Sequence, residues 1–253
     1  MSLCKDCFKA VRHDGTPNGK METIGGVETY VAIPEKEYPK DKAVVFLSDA
    51  FGLFVNNKLL TDSFAENGYQ TYTPDLFTGD PFTVDMFTRP GFNAMTDWFP
   101  KHSPAITRPI VDSFLKGLRE RGITTLALTG YCFGARFVFD LAFEPSSATG
   151  IRTIVVSHPS MLQVPADFEM LVTKGTAPLL VNTCEKDEQF PIEQQTKADE
   201  VLGGGRYKPG YERTYWPGCE HGFTVRGDLS VPEVKAGKEG AFKATIDWFN
   251  KYI

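Results

Sequence analysis

A cysteine framed by glycines, Gly130-Tyr131-Cys132-Phe133-Gly134, sits between an apolar strand-like run, TTLALTG (124–130), and an apolar helix-like run, ARFVFDLAF (135–143). A structural cysteine needs no such frame, because a free thiol packs like any small apolar group. A cysteine that projects from a tight turn does need it. Side chains at 130 and 134 would crowd the neighbouring strand and helix, and the turn would not close. G-x-C-x-G at a strand-to-helix joint is the cysteine form of the sharp turn that presents a nucleophile. Cys132 then opens a helix, whose unpaired N–H groups and dipole favour a thiolate. The N–H of Phe133 points towards the place where an oxyanion would develop.

Such a nucleophile needs a base, and the base needs an orienting group. The chain has four histidines. His13 in the polar N-terminal segment and His102 in a long connection read as solvated loop residues. His158 follows the strand-like run IRTIVVS (151–157) and reads as a wall of the substrate pocket. His221, in WPGCEHGF, lies in a loop after the last strand-like run, with Gly222 giving that loop freedom to turn inwards. Between cysteine and histidine, the end of APLLVNTCEKD (177–187) offers Asp187, with Glu185 and Glu188 as alternatives. Nucleophile, acid, histidine is the chain order of α/β hydrolases.

The elements that must position these groups alternate between strand and helix. GVETYVAIP (26–34) and AVVFLSDAFG (43–52) read as strands, KLLTDSFAENG (58–68) as a helix, and YQTYTPDLF as a strand turned by Pro74. From 109, PIVDSFLKGLRERG predicts a helix with Val111, Phe114, Leu115 and Leu118 on one face and Pro109 in its first turn. IEQQTKADEVLGGG predicts a helix ended by glycines, YERTYWPG (211–218) the last strand, and Phe242, Ile246, Phe249 and Ile253 one face of the final helix. The alternation predicts a mostly parallel sheet with helices on both faces, in which functional residues lie just beyond the carboxyl ends of strands. One domain, 1–253, is expected, with a lead-in over 1–24. A loop or cap segment over 77–104 is rich in aromatics, proline and glycine. Phe51, Phe82, Phe87, Phe92, Trp98 and Tyr131 are candidates for an apolar pocket lining.

Composition narrows the class. At 253 residues, with 42% hydrophobic and 23% charged residues, the chain has enough apolar material for a sizeable core. A net charge of −5 with interspersed signs gives no basic stripe for nucleic acid and no polybasic tail for a membrane surface. No apolar run approaches the length of a membrane span. The opening MSLCKDCFKAVRHDG is too polar for a secretory signal. Five cysteines, an odd and sparse set, do not form a disulfide framework, so a reducing, cytoplasmic compartment is expected. Cys4-x-x-Cys7 raises a zinc or redox site, but only His13 lies near it and a structural zinc takes four ligands. No metal or organic cofactor is expected, and the chain is expected to be a monomer or homodimer.

Together GYCFGA, the acidic loop KDEQFP and the late HGF, with FLSDAFG and YTPDLF upstream, resemble the dienelactone hydrolase family of α/β hydrolases. The resemblance runs from about Gly25 to the C-terminus, and CKDCFKAVRHDGTPNGK resembles the lead-in of fungal members. It implies a Cys132, Asp187, His221 triad and an oxyanion hole from the backbone N–H groups of Phe133 and Ala50. The family's eponymous enzyme carries a glutamate that helps ionise the thiol; Asp49, one methylene shorter, stands at the matching position. That enzyme also binds its substrate's carboxylate with arginines, for which Arg226 and, less closely, Arg89 are the counterparts. Tyr131, His158 and Phe51 complete the candidate substrate contacts. The resemblance implies an ester or lactone substrate, with a thioesterase, a general carboxylesterase or a non-catalytic binding protein as the alternatives.

Overall fold

The computed structural model describes residue 9 and residues 11–253. Cys4 and Cys7, and with them any zinc or redox role for that pair, lie outside the described residues.

In chain order the strands are β1 (Lys20–Ile24), β2 (Val27–Ala32), β3 (Lys42–Leu47), β4 (Thr71–Pro74), β5 (Thr125–Tyr131), β6 (Ile151–Ser157), β7 (Leu179–Lys186) and β8 (Tyr211–Glu220). The helices are α1 (Val55–Glu66), α2 (Pro104–Glu120), α3 (Phe133–Ala142), α4 (Ser146–Thr149), α5 (Ala166–Lys174), α6 (Ile192–Leu202), α7 (Phe223–Arg226) and α8 (Pro232–Tyr252). The strands form one sheet in the order β1-β2-β4-β3-β5-β6-β7-β8. From β4 to β8 all neighbours are parallel, while β1–β2 and β2–β4 are antiparallel. β1 and β2 are joined by Gly25-Gly26, both at positive φ (58° and 79°), as a two-residue hairpin turn requires.

Side-chain alternation divides the sheet into two apolar layers. Val44 and Phe46 of β3 and Ala127 of β5 face Phe64 of α1 and Phe242, Ile246 and Phe249 of α8. Val45 and Leu47, with Leu126 and Leu128, face Phe114 of α2, Phe137 of α3 and Phe168 of α5. α3 is the helix that Cys132 caps. Nine of its ten residues are buried, because the sheet covers one side and α2 and α5 the other.

Some local expectations shift. α2 starts at Pro104, so Pro109 stands inside the helix rather than in its first turn. Pro104 already occupies the first helical position, where a missing N–H costs nothing. β8 runs to Glu220, through Pro217, which an edge strand tolerates because one side of its backbone needs no partner. The final helix ends at Tyr252, leaving Ile253 as its cap. The aromatic segment after β4 holds three short turns: 3₁₀ at Val84–Phe87, π at Ala94–Trp98 and 3₁₀ at Phe99–Lys101. Trp98 Nε1 donates to the carbonyl of Asp80 at 3.0 Å, and the Phe82 N–H donates to the carbonyl of Ala50 at 2.9 Å, so the cap is tied to the end of β3.

Candidate active site

The carboxyl ends of five adjacent parallel strands, β3, β5, β6, β7 and β8, line one edge of the sheet. Register sets their relative height. Leu47 is level with Gly130, Tyr131 with Ser157, Ser157 with Asn182, and Lys186 with Glu220. The ladder continues one step into the loops. Cys132 N donates to Ser157 O (3.1 Å), His158 N to Asn182 O (2.8 Å) and His221 N to Lys186 O (2.9 Å). Cys132, His158 and His221 therefore each stand directly on a strand end, held by a backbone hydrogen bond to the neighbouring strand.

Cys132 has φ 48° and ψ −110°, a strained conformation for a residue with a side chain, and it caps α3. The framing glycines explain how the turn survives. A Cβ on Gly130 would lie 2.6 Å from Val138 Cγ2 and 2.7 Å from Gly134 O, and one on Gly134 would lie 2.0 Å from Leu47 O. The first contact sets α3 against its own strand, the second sets it against β3. Cys132 is half-buried, whereas Cys184 and Cys219 are wholly buried, and burial raises both of those thiols.

His221 Nδ1 lies 2.8 Å from Asp187 Oδ1. The same carboxylate oxygen accepts from the N–H groups of Gln189 (2.9 Å) and Phe190 (3.0 Å), which fixes the acid in the turn after β7. Nε2 of His221 is buried without a hydrogen bond of good geometry to any described residue. It faces the sulfur of Cys132. Burial opposes a charge on this ring but is outweighed by interactions with Asp187 and Cys132, and its pKa is pushed up to about 10. Asp187 rather than Glu185 or Glu188 is the acid paired with His221: Glu185 instead accepts from Gly218 N at 2.7 Å.

Phe133 opens α3 directly after Cys132, and Ala50 follows the end of β3. The Gly134 contact with Leu47 and Ser48 brings the start of α3 against the end of β3. The N–H of neither Phe133 nor Ala50 donates to an acceptor among the described residues.

The remaining candidates lie elsewhere. Asp49, wholly buried, accepts from Asn57 Nδ2 (2.8 Å), Phe51 N (3.2 Å) and Arg226 Nε (3.0 Å). It is bound up in the turn and in an ion pair, and makes no hydrogen bond to Cys132. Arg226 stacks its guanidinium 4.3 Å from the Phe51 ring centroid and lies beside Gly222. Arg89 lies in the segment after β4, paired with Asp85 of the same turn and not with Cys132, Asp187 or His221. Tyr131 points to the opposite layer, its ring 4.8 Å from that of Phe46. It backs the site from the core and does not line a pocket.

His158 is also behind the site rather than in its wall. It is fully buried, its ring 4.9 Å from that of His221, with Nε2 at 2.6 Å from Thr224 Oγ1. Burial and the nearby positive charges of His221 and Arg226 push its pKa well below the usual value, so it backs His221 as a neutral ring. His13 and His102 are not free loop residues: His13 pairs with Glu239 (2.9 Å), and His102 is buried beside Trp98 and Asp80.

Ser160 was not anticipated. Its Oγ lies 3.7 Å from Cys132 Sγ, and its N–H donates to the Cys132 carbonyl at 3.2 Å. The only signal in the sequence was its place, three residues past β6 on the functional edge.

The dienelactone hydrolase family model matches residues 27–253. The chain belongs to the dienelactone hydrolase family. Relatives share nearly its full length. The hydrolase pyvD of Aspergillus violaceofuscus is 35% identical over 98% of this chain and 96% of that protein. Dienlactone hydrolase 1 of Gibberella moniliformis is 31% identical over 99% and 94%. A dienelactone hydrolase described as putative, from Klebsiella pneumoniae, superposes with a TM-score of 0.74 at 17% identity, over 93% of this chain and 99% of that one, a likeness of fold. The α/β-hydrolase fold expected from the motif order is the fold found, and the chain is a hydrolase acting on ester bonds, with a small-molecule substrate. No described helix is long and apolar enough to cross a membrane.

Proposed function

We propose that this dienelactone hydrolase family member cleaves an uncharged carboxylic ester or lactone through a thioester on Cys132, with His221 and Asp187 as base and orienting acid. The observation that carries the reading is the convergence of a strained, half-buried cysteine with an Asp187-held imidazole whose second nitrogen is free of other partners.

The chemistry runs in two halves. The Cys132 thiolate, paired with the His221 imidazolium, attacks the carbonyl carbon, and its electrons move onto the carbonyl oxygen. The N–H groups of Phe133 and Ala50 receive that oxyanion, each such donor being worth ~3 kcal/mol. On collapse the C–O bond breaks and His221 gives its proton to the leaving alkoxide; in a lactone the alcohol stays tethered to the acyl group. Neutral His221 then takes a proton from water, which attacks the thioester. The second collapse releases the acid and restores the thiolate and imidazolium.

The charge inventory supports an uncharged substrate. Arg226 is paired with Asp49 and stacked on Phe51, and Arg89 is paired with Asp85. From Phe133 an unbroken chain of ring contacts passes through Trp98 and Phe82 to Phe51 and Phe87. Apart from Phe87 these rings are buried in the core that adjoins the start of α3, and neither arginine offers an unpaired guanidinium. The test is a panel of neutral aryl esters and lactones beside their carboxylate-bearing analogues. Wild type should favour the neutral member of each pair by at least tenfold in kcat/KM, and Cys132→Ala should abolish both activities. A preference for the carboxylate-bearing member would overturn the substrate assignment, and activity in Cys132→Ala the mechanism. The free thiols of Cys132, Cys184 and Cys219 support a reducing, cytoplasmic setting.

A further inference from the structure

We infer that the Ser160 hydroxyl donates a hydrogen bond to the Cys132 sulfur and holds it in the thiolate form, a catalytic residue beyond the triad. The inference builds on the reading of Cys132 as nucleophile.

Four observations carry it. Ser160 Oγ lies 3.7 Å from Cys132 Sγ, the reach of a long hydrogen bond to sulfur, and the residue is buried at 7% exposure. That hydroxyl makes no other hydrogen bond among the described residues. A buried hydroxyl is costly unless paired, so the sulfur is the partner that satisfies it. Facing a thiolate, which has no proton, the hydroxyl can only be the donor.

The third observation is how the chain reaches this position. After β6, His158 (φ 37°) and Met161 (φ 60°) both adopt left-handed backbone without being glycine, and they bracket Pro159-Ser160. With Cys132 they make three of the four non-glycine positive-φ residues among those described. Such strain persists only where the surroundings enforce it. Here the enforcement is visible: Arg136, one turn into α3, donates to the Met161 carbonyl (3.3 Å) and pairs with Asp167 (2.5 Å), whose carboxylate also accepts from Gln163 N (2.7 Å). The helix that carries the nucleophile therefore also grips the loop that carries the serine.

The fourth is that the loop does not need the hydroxyl. The Ser160 N–H already ties the loop to the Cys132 carbonyl (3.2 Å). The side-chain oxygen is free to act on the sulfur alone.

A hydrogen bond to a charged acceptor shifts its ionisation by about tenfold or more. The cost is some loss of intrinsic nucleophilicity, so the gain falls in the pH range where thiolate is scarce. Other charged groups around the sulfur are His221 after β8, Asp187 after β7, and the Asp49–Arg226 pair after β3 and on α7, with neutral His158 after β6. All are unchanged by a substitution at 160.

The experiment is alkylation of Cys132 by iodoacetamide from pH 5 to 10, followed on the Cys132 peptide by mass spectrometry, in wild type, Ser160→Ala and Ser160→Thr. Ser160→Ala should move the profile up by about one pH unit and slow alkylation roughly tenfold below its midpoint. Its upper plateau should not fall below wild type. Ser160→Thr, which keeps a hydroxyl, should stay near the wild-type profile. A folded Ser160→Ala protein whose profile coincides with wild type overturns the inference. If Ser160→Ala loses its fold, Ser160→Gly, which also removes the hydroxyl, carries the same expectation and the same refutation. Alkylation needs no ester turnover, so a negative result here leaves the triad untouched. Failure of the triad itself shows as hydrolysis by Cys132→Ala.

Discussion

Gly134→Ala separates two views of the elbow that differ in sign. Gly134 is the second residue of α3, and helix propensity alone says alanine there adds up to ~1 kcal/mol of stability. Geometry says otherwise. The new Cβ would sit 2.0 Å from Leu47 O, 2.5 Å from Leu47 C and 2.8 Å from Ser48 O, whereas ordinary contact begins near 3.4 Å. These are backbone atoms at the end of β3, so no rotamer change relieves the overlap. α3 must back away by about 1.4 Å along that line, at an overpacking cost of ~1–3 kcal/mol. The same movement draws Phe133 N–H away from Ala50 N–H, and one oxyanion cannot keep good contact with both. Losing one donor costs ~3 kcal/mol, roughly a hundredfold or more in kcat. The assay is steady-state hydrolysis of a neutral chromogenic aryl ester beside thermal unfolding of the same preparation. The expected variant is less stable, folded, and at least a hundredfold slower in kcat. A variant as stable as wild type with unchanged kcat refutes the close-approach argument.

Two further perturbations probe the electrostatics. Arg226→Gln strands the buried Asp49 carboxylate and should cost about 2–4 kcal/mol in chemical denaturation, while adding Asp49→Asn should recover at least half; strictly additive losses would show that the two groups do not act as a pair. The pH dependence of stability follows from His221. Its pKa is raised to about 10 in the fold, so its stabilising contribution is complete below about pH 6.5, the unfolded value, and is lost as pH rises towards 10. The melting temperature should fall across that window, and His221→Gln should flatten the fall; an equally steep decline in that variant would contradict the assignment.

The joints between strand and helix were the legible part of this chain. Cys132 and Asp187 each follow an apolar run that becomes a parallel strand, and a buried parallel strand must be a short apolar run that stops at the functional edge; His221 follows the half-exposed edge strand β8 and was legible from its glycine-flanked loop and the chain order. The glycines at 130 and 134 were readable because their physical job, close approach, excludes every other residue. What stayed hidden depends on contacts between distant segments. Asp49 and Arg226 meet across 177 positions, so both looked available for thiol or substrate when each is bound to the other. Ser160 reaches Cys132 through left-handed residues at His158 and Met161, types that give no local sign of such backbone. β1 and α5 were also missed: KMETI is half exposed, and ADFEMLVTK has a weak apolar stripe beneath the loop it supports.

The account rests on a covalent bond between substrate and one sulfur atom. Acid-quenching wild type during turnover of a neutral aryl ester, then mapping the digest by mass spectrometry, reads that bond directly. The account predicts an acyl group on Cys132, formed at a rate at least equal to kcat and absent in Cys132→Ala. Full turnover with no adduct on Cys132 in wild type and undiminished hydrolysis by Cys132→Ala would contradict it.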